Sequence, residues 1–350
     1  MRSEAGDTLS PDSGGKRGPT LEEVAARAGV GRGTASRVIN GASNVSERSR
    51  RAVLDAVAEL NYVPNHAART LKTRRTEAIA LVIAESEERI FGEPFFAGVV
   101  RGISTATTDA GRQLVLLLSQ AGQRSANLEG YLSRQHVDGV LLLSLHDDDA
   151  LPRVIRSRSL PMVFGGRPPN DQEASYVDVD NVRGARLAVE HLLARGRRTV
   201  ATVTGPRDMV AGRDRYAGYV AALEGAGREV EEGLVVEGDF SQASGARAVA
   251  ELLRRSPEVD AVFCANDPMA AGALQQLRDA GRRVPEDVAV VGFDDSPLAA
   301  TTHPPLTSVH QSPERMGAAM VALLLDRLAD PDAPARSEVL ETRLVVRESS

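Results

Sequence analysis

Between residues 79 and 295 the chain keeps returning to one pattern, a short apolar run followed by an amphipathic helical stretch. The runs are IALVIAES (79–86), QLVLLLS (113–119), DGVLLLSL (138–145), PMVFG (161–165), TVATVTG (199–205), EVDAVFCAND (258–267) and DVAVVGFDD (287–295). Strands that alternate with helices and carry no polar face belong to parallel sheets covered on both sides. The runs also repeat. VDGV begins at 137 and VDAV at 259, 122 residues later; IALVI begins at 79 and TVATV at 199, 120 residues later. A near-constant offset implies two copies of one open α/β unit, and two such lobes create a cleft. Ligands of open parallel sheets bind beyond the carboxyl ends of the strands, so polar residues ending these runs should face that cleft.

The first quarter of the chain is built differently. Residues 1–75 hold 13 Lys and Arg against 8 Asp and Glu, a net of +5 in a chain of −6, which leaves −11 on the other 275 residues. A basic head on an acidic body points to a polyanion partner for the head. Thr20 can cap a helix whose Leu21, Val24, Ala25 and Ala28 share one face, and Gly29 ends it as a C′ residue. After a short turn, GVGRGTASRVING (29–41) forms a second helix from Arg32 to Asn40. Ala35, Val38 and Ile39 face inward; Arg32, Gly33, Thr34, Ser36 and Arg37 remain outside. Ser46 caps a third helix, with Val53, Leu54, Val57 and Leu60 closing the core. Two short helices joined by a glycine turn make a helix-turn-helix. The exposed face of its second helix, small and rich in hydroxyl and guanidinium groups, suits a major groove, with Arg32 placed to reach guanine. In LNYVPNHAARTLKTRRT (60–76), Pro64 breaks the third helix and Asn65 can cap a short basic one through Lys72. That helix is too short to be stable alone, and its Leu71 suits a wedge in a minor groove.

Other features bound the class. At 350 residues the chain should hold two or three domains. Cys264 is the sole cysteine, so there is neither an intramolecular disulfide nor a cysteine metal site; within AVFCAND it reads as strand filler. No run approaches the ~20 apolar residues of a membrane span. The opening MRSEAGDTLSPDSGGKRG lacks the apolar core of a signal peptide and reads as a disordered tail, which points to the cytoplasm. Glu190 and His191 are adjacent on a helix and diverge, making a poor acid–base pair. No nucleophile motif or metal spacing appears. Neither an enzyme nor an exported sugar-transport protein accounts for the basic head, and no cofactor or metal is expected.

On the residues TLEEVAARAGV, T-x-S-R-V-I-N (Thr34 to Asn40) and LNYVPNHAARTL, the head resembles that of the LacI/GalR family of bacterial transcription regulators. The resemblance continues through VDVDNVRGARLAVEHLLARGRRTVATVTG (177–205), AGRDRYAGY (211–219) and PPLTSVHQ (304–311). It implies an all-α helix-turn-helix head on a two-lobed, periplasmic-binding-protein-like α/β body of doubly wound parallel sheets. The expected limits are a tail at 1–18, the head at 19–63, a hinge helix and linker at 64–76, and the body at 77–350. Within the body the upstream lobe takes about 77–176 plus 308–335, and the downstream lobe about 177–307 plus 336–350.

The resemblance assigns DNA contacts to Thr20, Gly31, Arg32, Gly33, Thr34, Ser36, Arg37, Asn40, Asn44, Tyr62, Asn65, Ala68, Arg69 and Leu71. Base reading falls to Arg32 and Gly33, phosphate contact to Thr34, Ser36, Arg37 and Asn40, and the wedge to Leu71. Gly31 stands where the family usually has a capping serine, and Gly33 offers no side chain, so reading leans on Arg32. The effector positions carry over to Phe95, Phe96, His146, Arg167, Arg215, Phe240, Asn266, Asp294 and Gln311. Aromatic faces over pyranose C–H groups, with planar polar groups on the hydroxyls, fit a neutral sugar. Each also has an ordinary reading: Phe95 or Phe96 as core, Asp294 as a helix cap, Arg215 as a surface ion pair, His146 as surface. Gly166 stands where the family often has an acid, which would leave Arg167 an unpaired donor. GVGRGT, EPFFAGVV, DGVLLLSLH and VFGGRP are together similar to actinobacterial regulators of β-glucan utilisation that answer to cello-oligosaccharides. The implied function is a homodimeric regulator, a repressor of carbohydrate-utilisation genes. It would bind palindromic operator DNA on the nucleoid under control of cellobiose or a cello-oligosaccharide, another sugar or a nucleoside being the alternative effector.

Overall fold

The computed structural model describes residues 18–42, 44–62, 75–119, 126–169 and 173–350, in two compact units that divide between Arg74 and Arg75. The expected hinge helix, with Asn65, Ala68, Arg69 and Leu71, and the expected tail up to residue 17 lie outside these residues.

In the first unit, α1 (Leu21–Arg27), α2 (Arg32–Ile39) and α3 (Glu47–Glu59) surround a core of Val24, Ala25, Ala35, Val38, Val53 and Ala56. Thr20 and Glu23 form a reciprocal capping box: the Thr20 hydroxyl accepts from the Glu23 amide at 3.3 Å and the Thr20 amide donates to Glu23 Oε2 at 2.7 Å. Gly29 takes the left-handed φ of +66° that lets the chain leave α1. Ser46 caps α3. One core expectation fails. Leu54 is 51% exposed, because three short helices can enclose Val53 and Ala56 on α3 but not the next position around it.

Among the described residues the second unit contains two six-stranded sheets. Its strands are β1 (Ala78–Ala84), β2 (Gln113–Ser119), β3 (Gly139–Leu143), β4 (Met162–Gly165), β5 (Tyr176–Val179), β6 (Val200–Thr204), β7 (Val235–Glu237), β8 (Ala261–Cys264), β9 (Ala289–Asp294), β10 (Thr307–His310), β11 (Ser337–Leu340) and β12 (Arg343–Val345). The upstream sheet runs β11-β5-β4-β3-β1-β2 and the downstream sheet β12-β10-β9-β8-β6-β7. One order occurs twice, as the internal offset predicts. All pairings are parallel except β10 with β12. Apolar clusters cover both faces of each sheet, which is why the runs lack alternation.

The crossing points differ from those expected. β5 pairs with β4 and belongs upstream, β10 pairs with β9 and belongs downstream, and β11 pairs with β5 upstream. The chain thus passes between lobes at Asp180, at Gln311–Ser312 and at Glu341–Thr342. Two crossings are tied together: the Asp180 amide donates to Leu340 O at 3.0 Å, and the Thr342 hydroxyl to Asp180 O at 3.3 Å.

Helices that position the cleft are α4 (Glu87–Gly92), α5 (Pro94–Asp109), α8 (Asn181–Ala194), α9 (Val210–Gly225) and α11 (Asp267–Asp279), with α6 (Ala126–Tyr131), α7 (Leu151–Ser157) and α10 (Gln242–Arg255) completing the layers. The short α12 (Pro297–Thr301) follows β9, and α13 (Pro313–Ala329) returns the chain upstream. α13 packs on α5 through Gly102, where a Cβ would meet Glu314 O at 2.0 Å, so only glycine permits the approach.

Candidate functional sites: an exposed helix face and a polar cleft

On the first unit, the outer face of α2 carries Arg32, Gly33, Arg37 and Asn40 exposed, with Thr34 and Ser36 half-buried beside them. Gly31 is the N-cap and supplies no side-chain hydrogen bond; its carbonyl accepts from the Thr34 amide at 2.8 Å and the Ala35 amide at 3.1 Å. Arg37 is braced along the helix, donating to Gly33 O at 3.3 Å and Thr34 Oγ1 at 3.4 Å. Asn40 donates to Ser36 O at 2.7 Å and Ser36 Oγ at 3.3 Å. Arg32 rests on Glu22 of α1 at 2.8 Å, both side chains largely exposed. Such an exposed pair is weak and can be exchanged for a stronger bidentate partner. Thr20 and Asn44 are exposed and Tyr62 is half-buried against the core. The capping box occupies the Thr20 hydroxyl.

On the second unit, the carboxyl ends of the strands converge on a polar cluster. Arg215, on α9, lies at its centre and is 6% exposed. It donates to Asn181 Oδ1 at 2.9 Å and Ala265 O at 2.6 Å, lies 3.7 Å from Asp294 Oδ1, and stacks 3.8 Å from the Phe293 ring centroid. The surface ion-pair reading of Arg215 is therefore excluded. Gln311 donates to Asp294 Oδ1 at 2.5 Å. Burial pushes the Asp294 carboxyl up, against Arg215 and Gln311, which favour its charged form. Asp294 is not a helix cap; Ser296 takes the N-cap position of α12. Asp267, at the start of α11, accepts from Ser308 Oγ at 2.5 Å and the Ser296 amide at 2.7 Å. Burial and the nearby Asp294 raise it as well.

Asn266 and Phe240 are reshaped by the structure. Asn266 caps α11, accepting from the Met269 amide at 3.0 Å and donating to Phe240 O at 2.8 Å. Phe240 is 5% exposed, and its ring is backed by Gly205, where a Cβ would come within 2.1 Å. Arg89 lies 5.1 Å from the ring centroid and Arg215 6.0 Å. The ring is already covered by guanidinium groups, so a sugar could stack on it only after Arg89 moves. Phe96 is buried in the upstream core, whereas its neighbour Phe95 lines a cavity of about 90 Å³ with Ser144, Arg167, Arg215 and Gln311. Ligand pockets typically enclose roughly 300 Å³ or more, so this cavity is too small for a sugar as it stands. Phe95 and Gln311 also border an adjoining hollow of about 210 Å³ beside Asp294.

Arg167 is not unpaired. Its guanidinium grips Asp214 of α9 at 2.6 and 2.9 Å, across the cleft. His146 likewise crosses to Asp208 at 2.7 Å. Sequence reasoning also passes over a buried array at the end of β1. Arg89 pairs with Glu85 and, at 2.7 Å, with Glu93, while Ser144 Oγ donates to Glu85 at 2.7 Å. Burial, with Asp294 and Glu85 nearby, outweighs Arg89 and pushes the Glu93 carboxyl up to about 7. The i, i+4, i+8 spacing of Glu85, Arg89 and Glu93 is the signal that could have found it. Four residues at these strand ends, Ser144, Phe240, Asp294 and Asp295, hold positive φ without being glycine (+61°, +66°, +106° and +50°). Backbone strain of this kind collects where a site dictates the conformation. Among the described residues no group of His, Cys, Asp and Glu is placed to hold a metal ion, and no helix is long and apolar enough to cross a membrane.

A helix-turn-helix unit and a two-lobed body with a polar interlobe cleft define a ligand-controlled DNA-binding regulator. Comparison with known proteins agrees: residues 20–65 match the bacterial regulatory proteins of the lacI family, and residues 189–350 the periplasmic binding protein-like domain. The chain is 54% identical over 336 residues to the HTH-type transcriptional regulator CelR of Thermobifida fusca, covering 95% of this chain and 99% of that protein. It is 35% identical over 315 residues to the ribose operon repressor of Escherichia coli K12, covering 89% and 94%. Among solved structures, a CelR–cellobiose complex superimposes with a TM-score of 0.77 at 52% identity, over 95% of this chain and all of that one. A lac repressor dimer bound to operator superimposes with a TM-score of 0.83 at 30% identity, over 95% and 99%. The chain belongs to the LacI family of bacterial transcription regulators.

Proposed function

We propose that the protein acts in the cytoplasm as a homodimeric repressor of carbohydrate-utilisation genes, released from a palindromic operator by cellobiose or a short cello-oligosaccharide bound between its lobes. It is a regulator and not an enzyme. The observation that carries this reading is the 54% identity to CelR across nearly the whole of both chains, with a cellobiose complex among the related structures. The cleft supports it chemically. Asp294 and Gln311 offer acceptors, and Arg215 and Arg167 offer planar donors, groups that suit a polyhydroxylated neutral ligand. On the head, Arg32 reads base edges while Arg37 and Asn40 position the helix on phosphates. Leu116, 41% exposed on the edge strand β2, supplies apolar surface for self-association. An effector shifts operator affinity only by its differential affinity for two lobe arrangements.

The test is a titration of operator-bound protein with cellobiose, longer cello-oligosaccharides, ribose and purines. Release by β-1,4-linked glucose oligomers is expected. Release by ribose or a purine alone would reassign the effector and leave the regulator class standing.

A further inference from the structure

His146 stands where carboxylates from both lobes converge. It follows β3 on the upstream lobe. Its Nδ1 lies 2.7 Å from Oδ2 of Asp208, which follows β6 on the downstream lobe, and its Nε2 lies 3.6 Å from Oε1 of Glu85, which follows β1. A neutral imidazole has one N–H, so one of its nitrogens would present a lone pair to a carboxylate. Only the imidazolium suits both neighbours. The same loop is fastened across the cleft twice more: the Asp147 amide donates to Asp208 O at 3.0 Å, and Arg213 donates to Asp147 Oδ2 at 2.5 Å.

We propose that closure of the cleft takes up a proton at His146, which makes His146 a positioning residue whose charge sets how firmly the lobes hold together. The link to effector binding rests on the cleft being the effector site; the proton uptake itself does not.

The charges facing the ring come from several elements. Glu85 carries Arg89 with it, Asp149 lies in the ring's own loop, Asp208 reaches from the other lobe, and Arg213 is engaged by Asp147. Glu85 and Asp208 together hold the closed-cleft His146 up at about 9. Parting the lobes removes both Asp208 interactions and leaves Glu85, and it also admits water, which relieves the burial that lowers the imidazole; we take the loss of Asp208 to be the larger effect, so the open-cleft value lies below about 9. The proton therefore favours closure fully below the open-cleft value, and the gain is lost as pH rises through about 9. Between the two values the closed-to-open ratio falls by up to about tenfold per pH unit. A ligand that closes the cleft is weakened over the same interval, because linkage is reciprocal. Glu93, Asp267 and Asp294 are raised too and can also bind protons as the cleft closes. Asp208→Asn leaves those three in place, and Asp208 is 56% exposed, so the variant should fold.

The experiment places one introduced cysteine on each lobe of the full chain and measures the spin-label distance from about pH 6.5 to 9.5 without sugar. Cys264 is fully buried, so labelling stays on the introduced sites. The parent should shift towards longer distances as pH rises, and both Asp208→Asn and His146→Gln should lose most of that dependence. An unchanged dependence in Asp208→Asn would assign the proton to the buried acids and overturn the proposal, as would a parent that does not respond to pH. Because the measurement uses no sugar, its failure leaves the effector reading intact. A parent silent to cellobiose would likewise leave this result standing.

Discussion

The head and the cleft solve recognition in opposite ways. On α2 the candidate residues are exposed or half-buried and lean on one another within a single helix, as Arg37 does on Gly33 and Thr34. In the cleft Arg215, Asn266, Asp267 and Gln311 are all buried and hydrogen-bonded to residues far away in the chain. A surface helix can therefore change its reading residues with little cost to folding. The cleft cannot, because its candidate residues also join secondary-structure elements. Substitutions in the two regions should separate affinity from stability.

Arg215→Ala should have the largest effect. Removing one partner from a buried, charged network costs about 3–5 kcal/mol, and the urea midpoint of the body should fall accordingly. A midpoint within error of the parent would show that the network is not structural. Next comes pH. The raised carboxyl of Glu93 favours the folded state fully below its ordinary pKa, and that contribution is lost as pH rises through about 7. Between about pH 5 and pH 8 the urea midpoint of Glu93→Gln should fall less than that of the parent. Equal falls would move the titration to Asp267 or Asp294.

Arg32→Ala tests the other side of the comparison. It should cost about 1–3 kcal/mol of operator affinity and relax preference at one base pair, with the urea midpoint unchanged. Retained sequence preference in a binding-site selection would remove Arg32 from base reading. Smallest is Thr20→Ala, which breaks the capping box and should destabilise the head by about 1 kcal/mol. A change in the melting of residues 18–62 followed by hydrogen exchange at α1 is the measurement.

The same contrast explains what could be read in the sequence. Helix α2 was legible because its buried side is set by local spacing, Ala35 with Val38, and the capping of α1 needs only Thr20 and Glu23. Leu54 was not, since two adjacent apolar residues cannot both face so small a core, and spacing alone does not choose between them. In the body the strands and the repeated sheet order follow from apolar runs. The lobe to which β5, β10 and β11 belong does not, because a four-residue strand at a crossing can complete either sheet. The partners across the cleft were out of reach for a related reason. Arg167 and Asp214 are 47 residues apart, His146 and Asp208 are 62, and Asp147 and Arg213 are 66, joined by topology and not by motif. Arg167 therefore looked unpaired in the sequence.

The three crossings at Asp180, Gln311–Ser312 and Glu341–Thr342 also govern what kind of message the body can carry. A single tether would leave the lobes free to swing and twist independently. Three tethers, two of them laced together by hydrogen bonds, constrain the pair much as a door is constrained by a line of hinges. One angle then remains as the principal degree of freedom. A ligand, proton or substitution that favours one value of that angle is read out together with every other that does, so chemically unrelated signals can be added on one mechanical coordinate. A one-residue deletion at Glu341–Thr342 would shift the register of a sheet on each side, and one at Asp180 or Gln311–Ser312 would rotate the helix that follows, whereas a longer loop at the rim would leave the coordinate untouched.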